Sequence, residues 1–214
     1  MNQKKSCCIF GAGDLYVKQV CIPSDALVIA ADGGLYHLRT LGIRPDVFLG
    51  DFDSADKADA GENCVVFPSE KDYTDMFLAV EYGVKAGCTE FDLYGALGGT
   101  RFEHTYANLQ LLEHFAAQGH ILRLHGDGEI ITAVSQPSSS AQDKTIYFDE
   151  SHRGYLSLFA MGGEVRGVTL KGLKYPLDKQ TLRTDFPLGV SNEFCGVPSE
   201  IRFTSGTLLM IWQE

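Results

Sequence analysis

Short apolar runs alternate with stretches of helical periodicity over residues 1–136, and this alternation limits the fold more than any other feature of the chain. The runs Cys7–Phe10, Ala26–Ala31, Asp46–Gly50, Asn63–Phe67, Glu90–Gly95, Ile121–His125 and Glu129–Val134 read as strands. Helices are expected over Leu35–Leu41, Asp72–Ala86 and Arg101–Gln118. Met76, Phe77, Val80 and Val84 mark the buried stripe of the second helix, and Leu109, Leu112 and Phe115 that of the third. Strands linked by helices predict a mostly parallel sheet covered on both faces. The pattern stops at Gln136–Asp143, a polar connector without apolar periodicity. Beyond it, short strands are expected at 145–148, 155–160, 164–170, 189–194, 200–204 and 207–212, with Ser205-Gly206 as the loop of a final hairpin. The fold class expected is therefore α/β. An N-terminal, mostly parallel αβα domain over 1–136 is followed by a small antiparallel β-sandwich over 144–214.

Composition narrows the function. The net charge of −10 argues against nucleic acid or an anionic membrane as partner. Residues 1–136 carry 10 Lys and Arg against 19 Asp and Glu, whereas residues 137–214 carry 8 against 9. An acidic half that binds a polyphosphate needs metal ions between the two. The six cysteines show no CxxC pair and no metal-ligand spacing, and most sit in apolar contexts where small buried thiols are expected. The apolar run after Lys4-Lys5 ends at Gly11, too short for a secretory signal, so a reduced, cytoplasmic protein is expected.

Three stretches carry chemistry. In PDVFLGDFDS (45–54) an apolar strand ends in Asp51-Phe52-Asp53, and alternation places both carboxylates on one face. Their mutual repulsion is relieved by a hard divalent cation; the plain alternative is an acidic turn in which Asp51 or Ser54 caps a helix. EKDYTD (70–75) opens the second helix, with Asp72 and Asp75 three apart in its first turn, where capping by Ser69 or Asp72 is the competing reading. GALGGTRFEHTYAN (95–108) is a strand, a Gly-rich turn and a helix, in which bare N–H groups and a helix start hold phosphate. Arg101 adds a fixed, bidentate positive charge, and His104 and Asn108 share the helix face that begins at this turn. Asp32, at the carboxyl end of the second strand, is a ligand candidate or a helix cap. Together these imply metal-dependent group transfer from a nucleoside triphosphate. Asp51, Asp53 and Asp75 would hold Mg²⁺, and the Gly98-Gly99 backbone with Arg101 would stabilise growing charge. Which phosphorus is attacked stays open.

ADGG (31–34), PDVFLGDFDS, EKDYTD and GALGGTRFEHTYAN resemble, in order and spacing, the motif series of the thiamine pyrophosphokinases. GLKYPL (172–177) and SNEF (191–194) resemble that family's C-terminal signatures. The resemblance implies transfer of the β,γ-pyrophosphoryl group of ATP to the hydroxyethyl oxygen of thiamine, releasing AMP. It implies metal and phosphate roles for Asp32, Asp51, Asp53, Asp72 and Asp75, and nucleotide contacts from Gly33, Lys71, Gly98, Gly99, Thr100, Arg101, His104 and Asn108. Lys71 stands where many members have Gln, Glu103 where members commonly have Asp, and Thr100 is an insertion relative to the shorter GGR form. Thiamine is a cation with a flat ring, so Tyr175 is a sensible platform, in a place where relatives often carry Trp. Ser191 and Asn192 offer hydrogen bonds to the aminopyrimidine. An exposed turn tyrosine and an Asx-type turn are the alternatives. The family also implies a homodimer with thiamine held between subunits.

Two other classes are weighed. A non-catalytic nucleotide-binding regulatory module would keep the Asp cluster, but binding alone seldom needs so many carboxylates. A dinucleotide-dependent oxidoreductase built on Gly11-Ala12-Gly13 lacks the third glycine, because Tyr16 stands there.

Overall fold

The computed structural model describes residues 5–16, 20, 22–50, 64–66 and 72–213. The chain forms two compact units, Met1–Leu111 with Leu122–Asp127, and Leu112–Ile121 with Gly128–Glu214.

In the first unit, β1 (Ser6–Phe10), β2 (Leu27–Ala31), β3 (Val47–Gly50), β4 (Cys64–Val66) and β5 (Glu90–Tyr94) lie in the order β4-β3-β2-β1-β5, every pairing parallel. The neighbour of β5 is β6 (Ile121–His125). The helices are α1 (Gly34–Thr40), α2 (Asp75–Lys85) and α3 (Phe102–Ala116). Successive strand side chains point to opposite faces. Cys8 and Phe10 of β1 therefore pack with Val28, Ala30, Phe48 and Tyr94 against Leu35 and Leu38 of α1. Cys7 and Phe91 face α2, which comes so close that a Cβ at Gly83 would lie 2.6 Å from the Phe91 ring and 3.3 Å from Cys7 Sγ. The two helices thus cover opposite faces.

The helix expected from Asp72 begins instead at Asp75. Thr74 has extended backbone and caps the helix, its Oγ1 accepting from Phe77 N at 3.2 Å. Asp72 lies before the helix, so it does not share a helical face with Asp75 as its spacing suggested.

The second unit contains β7 (Glu129–Gln136), β8 (Lys144–Phe148), β9 (Tyr155–Lys171), β10 (Leu177–Leu182), β11 (Gly189–Glu193), β12 (Ser199–Phe203) and β13 (Ser205–Gln213). Their order is β7-β13-β9-β12-β8, with β10 and β11 also on β9, and all these pairings are antiparallel. Strand pairing over the chain is therefore mixed, not mostly parallel. The strands expected at 155–160 and 164–170 are one long strand, bent at Gly162 and Gly163, whose φ values are +62° and +155°. One half of β9 pairs with β11 and β13, the other with β10 and β12. Leu156 and Leu158 from the first half and Val165, Val168 and Leu170 from the second share one core with Phe148, Phe203, Leu208 and Met210.

The final hairpin does not form. β12 pairs with β8 and β9, and β13 pairs with β7 and β9. At the junction, the N–H and hydroxyl of Thr204 both donate to Arg166 O, at 2.9 and 3.0 Å. The chain is thereby tied over β9 and cannot fold back on β12. Among the described residues no helix is long and apolar enough to cross a membrane.

The entry of α1 is the tightest joint between strand and helix. A Cβ at Gly34 would lie 1.8 Å from the Phe10 carbonyl oxygen, so the backbone itself would have to move. Gly34→Ala is expected to lower stability by about 1–3 kcal/mol, measured by urea unfolding.

Candidate active site

Parallel strands end together, and the loops after β1, β2 and β5 enclose a cavity of about 390 Å³. Gly11, Ala12 and Gly13 follow β1, Ala31 and Asp32 close β2, and Gly95, Ala96 and Gly98–Arg101 follow β5. Thr74, Asp75 and Met76 at the start of α2, with His104 and Asn108 on α3, complete the lining. A cavity outside the carboxyl ends of parallel strands is where α/β sheets bind ligands.

Backbone contacts fix the floor. Gly11 N donates to Tyr94 O, Gly13 N to Gly95 O and Asp14 N to Leu97 O, at 2.8, 2.8 and 2.9 Å. His37 Nε2 donates to Gly13 O at 2.7 Å. The Gly99 N–H, a phosphate donor by the sequence reading, donates instead to Asp14 Oδ2 at 2.9 Å. Tyr16 also donates its hydroxyl to this oxygen, at 3.0 Å. The Gly99 N–H first, and Tyr16 second, hold the Asp14 carboxyl below the ordinary carboxylate range, and the same bond pushes the Tyr16 phenol up.

Asp32 lines the cavity in a left-handed conformation, φ +48°, held by Asp32 N to Leu49 O at 2.8 Å and Leu35 N to Asp32 O at 3.3 Å. Such backbone in a non-glycine residue is uncommon and concentrates at functional sites. Asp75, half-buried, is the first residue of α2, where the helix dipole favours negative charge. Gly33 is not part of the lining; its lack of a side chain lets it approach Ala12. Asp72 is exposed and is not part of the lining, whereas Thr100 is. Arg101 Nε donates to Glu103 Oε1 at 2.7 Å, and this bond lowers the Glu103 carboxyl. Both side chains are about two-thirds exposed, so the pair opens at little cost when an anion competes for the guanidinium. His104 is exposed, and Asn108 is buried with Nδ2 donating to Ala96 O at 2.6 Å.

Asp51, Asp53 and Lys71 lie outside the described residues. No group of three or more His, Cys, Asp or Glu placed to hold a metal occurs among the described residues.

In the second unit Tyr175 and Asn192 come together. Asn192 is 5% exposed; its Oδ1 accepts from Tyr175 N at 3.0 Å and Glu193 N at 2.9 Å, and its Nδ2 donates to Tyr175 O at 2.8 Å. The amide thus fastens the 172–177 turn to β11. Tyr175 is 55% exposed, with Lys174 Nζ 5.5 Å from its ring centroid. Glu193 holds Lys174 at 2.7 Å and raises its pKa. Ser191 is exposed with φ +57°, its N–H donating to Ser157 Oγ at 3.0 Å. Gly11–Gly13 and Thr74 were absent from the residues expected at the site. A glycine pair after an apolar strand was the available signal for the first, and a threonine two residues before a helical stripe for the second.

Asn108 carries a structural duty measurable apart from catalysis. Asn108→Leu keeps the shape but leaves the buried Ala96 carbonyl without its donor. It is expected to cost about 1–3 kcal/mol, read as a lower denaturation midpoint.

Residues 19–123 match the thiamin pyrophosphokinase catalytic domain, and residues 143–208 the thiamin pyrophosphokinase vitamin B1 binding domain. A curated relative, thiamine pyrophosphokinase of Bacillus subtilis (strain 168), is 30% identical over 191 residues, 86% of each chain. The crystal structure of thiamine pyrophosphokinase from Bacillus subtilis superimposes with a TM-score of 0.82 at 26% identity, covering 98% of this chain and 99% of that one. The enzyme structure from Geobacillus thermodenitrificans gives 0.80 at 28% identity, covering 98% and 97%. Yeast thiamin pyrophosphokinase, at 14% identity, shares the fold with a TM-score of 0.75 over 100% of this chain and 88% of that one. The chain belongs to the thiamine pyrophosphokinase family.

Proposed function

We infer that the protein transfers the pyrophosphoryl group of ATP to the hydroxyl of thiamine, giving thiamine diphosphate and AMP. One observation carries this reading. Residues from three of the resembling motifs, far apart in sequence, line a single cavity at the carboxyl ends of the parallel strands: Ala31 and Asp32, Thr74 and Asp75, and residues from Gly95 to Asn108. In the reaction the thiamine hydroxyl oxygen bonds to the β-phosphorus and gives up its proton to water, as the bond from that phosphorus to its α-bridging oxygen breaks and AMP leaves with the electron pair. Little covalent work falls to the protein, so positioning and charge stabilisation dominate.

Arg101, released from Glu103, would stabilise negative charge on the transferred group. Gly98, Gly99 and Thr100 would shape the turn around the phosphates, and Asp32, Gly33, Lys71, Asp72, His104 and Asn108 would complete the nucleotide site. The carboxylates at the cavity fit Mg²⁺, because a hard cation takes Asp oxygens and Asp32 and Asp75 both line it. Asp51, Asp53 and Asp75 would hold the ion, which supplies neutralisation of phosphate charge when bound. Tyr175 would stack against thiamine with Ser191 beside it, and Asn192 would hold Tyr175 in place. In this proposal residues 1–136 form the ATP-binding catalytic domain and 144–214 the thiamine-binding domain, in a cytoplasmic homodimer.

Chromatography of nucleotides after incubation with ATP, Mg²⁺ and thiamine tests the reading. AMP is expected to form in step with thiamine diphosphate, to vanish with EDTA and to return with added Mg²⁺. Asp75→Asn and Arg101→Gln should each lower kcat by about 10²–10³-fold. ADP with thiamine monophosphate would overturn pyrophosphoryl transfer, and no thiamine-dependent product would favour a binding module. Light scattering should give twice the chain mass.

A further inference from the structure

One peptide unit of the phosphate turn is held from both ends. The Gly98–Gly99 peptide donates its N–H to Asp14 Oδ2 at 2.9 Å, and its C=O makes a longer contact with Thr105 Oγ1 at 3.4 Å. Both glycines have positive φ, +70° and +77°, a conformation with many near neighbours in energy when no side chain restricts it. An anchor is therefore needed for the turn to present one face to a ligand. Asp14 is suited to this, because its own N–H is fixed to Leu97 O and its anchoring oxygen accepts a second bond from Tyr16. The fit is close: a Cβ at Gly98 would lie 2.3 Å from Asp14 Oδ2 and 2.4 Å from the Tyr16 hydroxyl. Gly98, Gly99 and Thr100 line the cavity, whereas Asp14, Tyr16 and Thr105 do not.

We propose that Asp14 is a positioning residue for ATP, clamping the Gly98–Gly99 peptide so that the rest of the 98–101 backbone faces the phosphates. This rests on the reading of the cavity as the ATP site. The Asp14 carboxylate occupies the hydrogen-bonding place that an anion would otherwise take on Gly99 N–H, so that group orients the turn and does not bind phosphate. A negative charge so near a triphosphate opposes binding, and the clamp outweighs this repulsion. The substitution Asp14→Asn separates the two effects, since it removes the charge and keeps an oxygen able to accept from Gly99.

The test measures ATP affinity by calorimetry, and KM for ATP and for thiamine, in the full chain and in Asp14→Ala and Asp14→Asn. Asp14→Ala should weaken ATP binding and raise its KM about tenfold or more, with the KM for thiamine unchanged. Hydrogen exchange at the Gly99 amide should accelerate by a similar factor, and Asp14→Asn should restore most of both. Tighter ATP binding in both variants would show that repulsion dominates and overturn the clamp. Equal losses for ATP and thiamine, unchanged ATP affinity, or an Asp14→Asn no better than Asp14→Ala would also overturn it. A wild type that binds ATP without forming AMP would remove the proposed function while the calorimetric comparison still decides the clamp. A wild type that binds no ATP would overturn both.

Discussion

The pairing of β1 with β5 continues past the ends of both strands. Phe10 is in register with Tyr94, and the backbone then passes Gly11 to Tyr94, Gly13 to Gly95 and Asp14 to Leu97. Two glycine-containing loops that would otherwise move independently are thus held edge to edge. Everything else at the cavity takes its place from this seam. His37 of α1 bonds to Gly13, α2 starts beside Gly11 through Met76, and α3 reaches back to Ala96 through Asn108. An antiparallel edge would close such loops into hairpins. A parallel one leaves them open above the sheet, and that opening is where a polyphosphate fits.

The first unit was readable in the sequence because β1, β2 and β3 are buried on both faces and its helices carry apolar stripes, two periods that are hard to confuse. The cavity-lining places of Asp32, Asp75, Thr100, Arg101, His104 and Asn108 were legible for a related reason, since each lies at a strand end, in the turn that leads into α3, or on the first turns of a helix. What escaped were contacts made by backbone or between distant turns. Nothing in the residue type of Asp14 announces that its carboxylate will meet a glycine N–H eighty-five positions away. Asn192 was readable as a polar group offered to the substrate, yet its burial, and so its use as a fastener, depends on the neighbouring turn. Asp72 was misplaced because capping by Thr74 decided the helix start, a local competition among three polar residues that spacing alone does not settle.

In the second unit every strand but β10 was found, though not the partners they pair with. Alternation shows which side chains face a core, and it is silent on which edge a strand will meet. Gly162 and Gly163 looked like a break between two strands, whereas they bend one strand so that its halves serve different neighbours. The hairpin expected at Ser205-Gly206 failed for the same reason, because Thr204 binds across to β9 and not to β12.

That arrangement has a consequence for how the chain is made. β13 lies between β7 and β9, both of which precede it in sequence. A ribosome therefore releases β7 and β9 well before the strand that joins them exists. During that interval their hydrogen-bonding edges stand open, with Leu156 and Leu158 of β9 lacking the Leu208 and Met210 that later share their core. Open, apolar edges are the usual starting point of association between nascent chains. The sheet that completes the second unit is thus also the place where folding waits on translation.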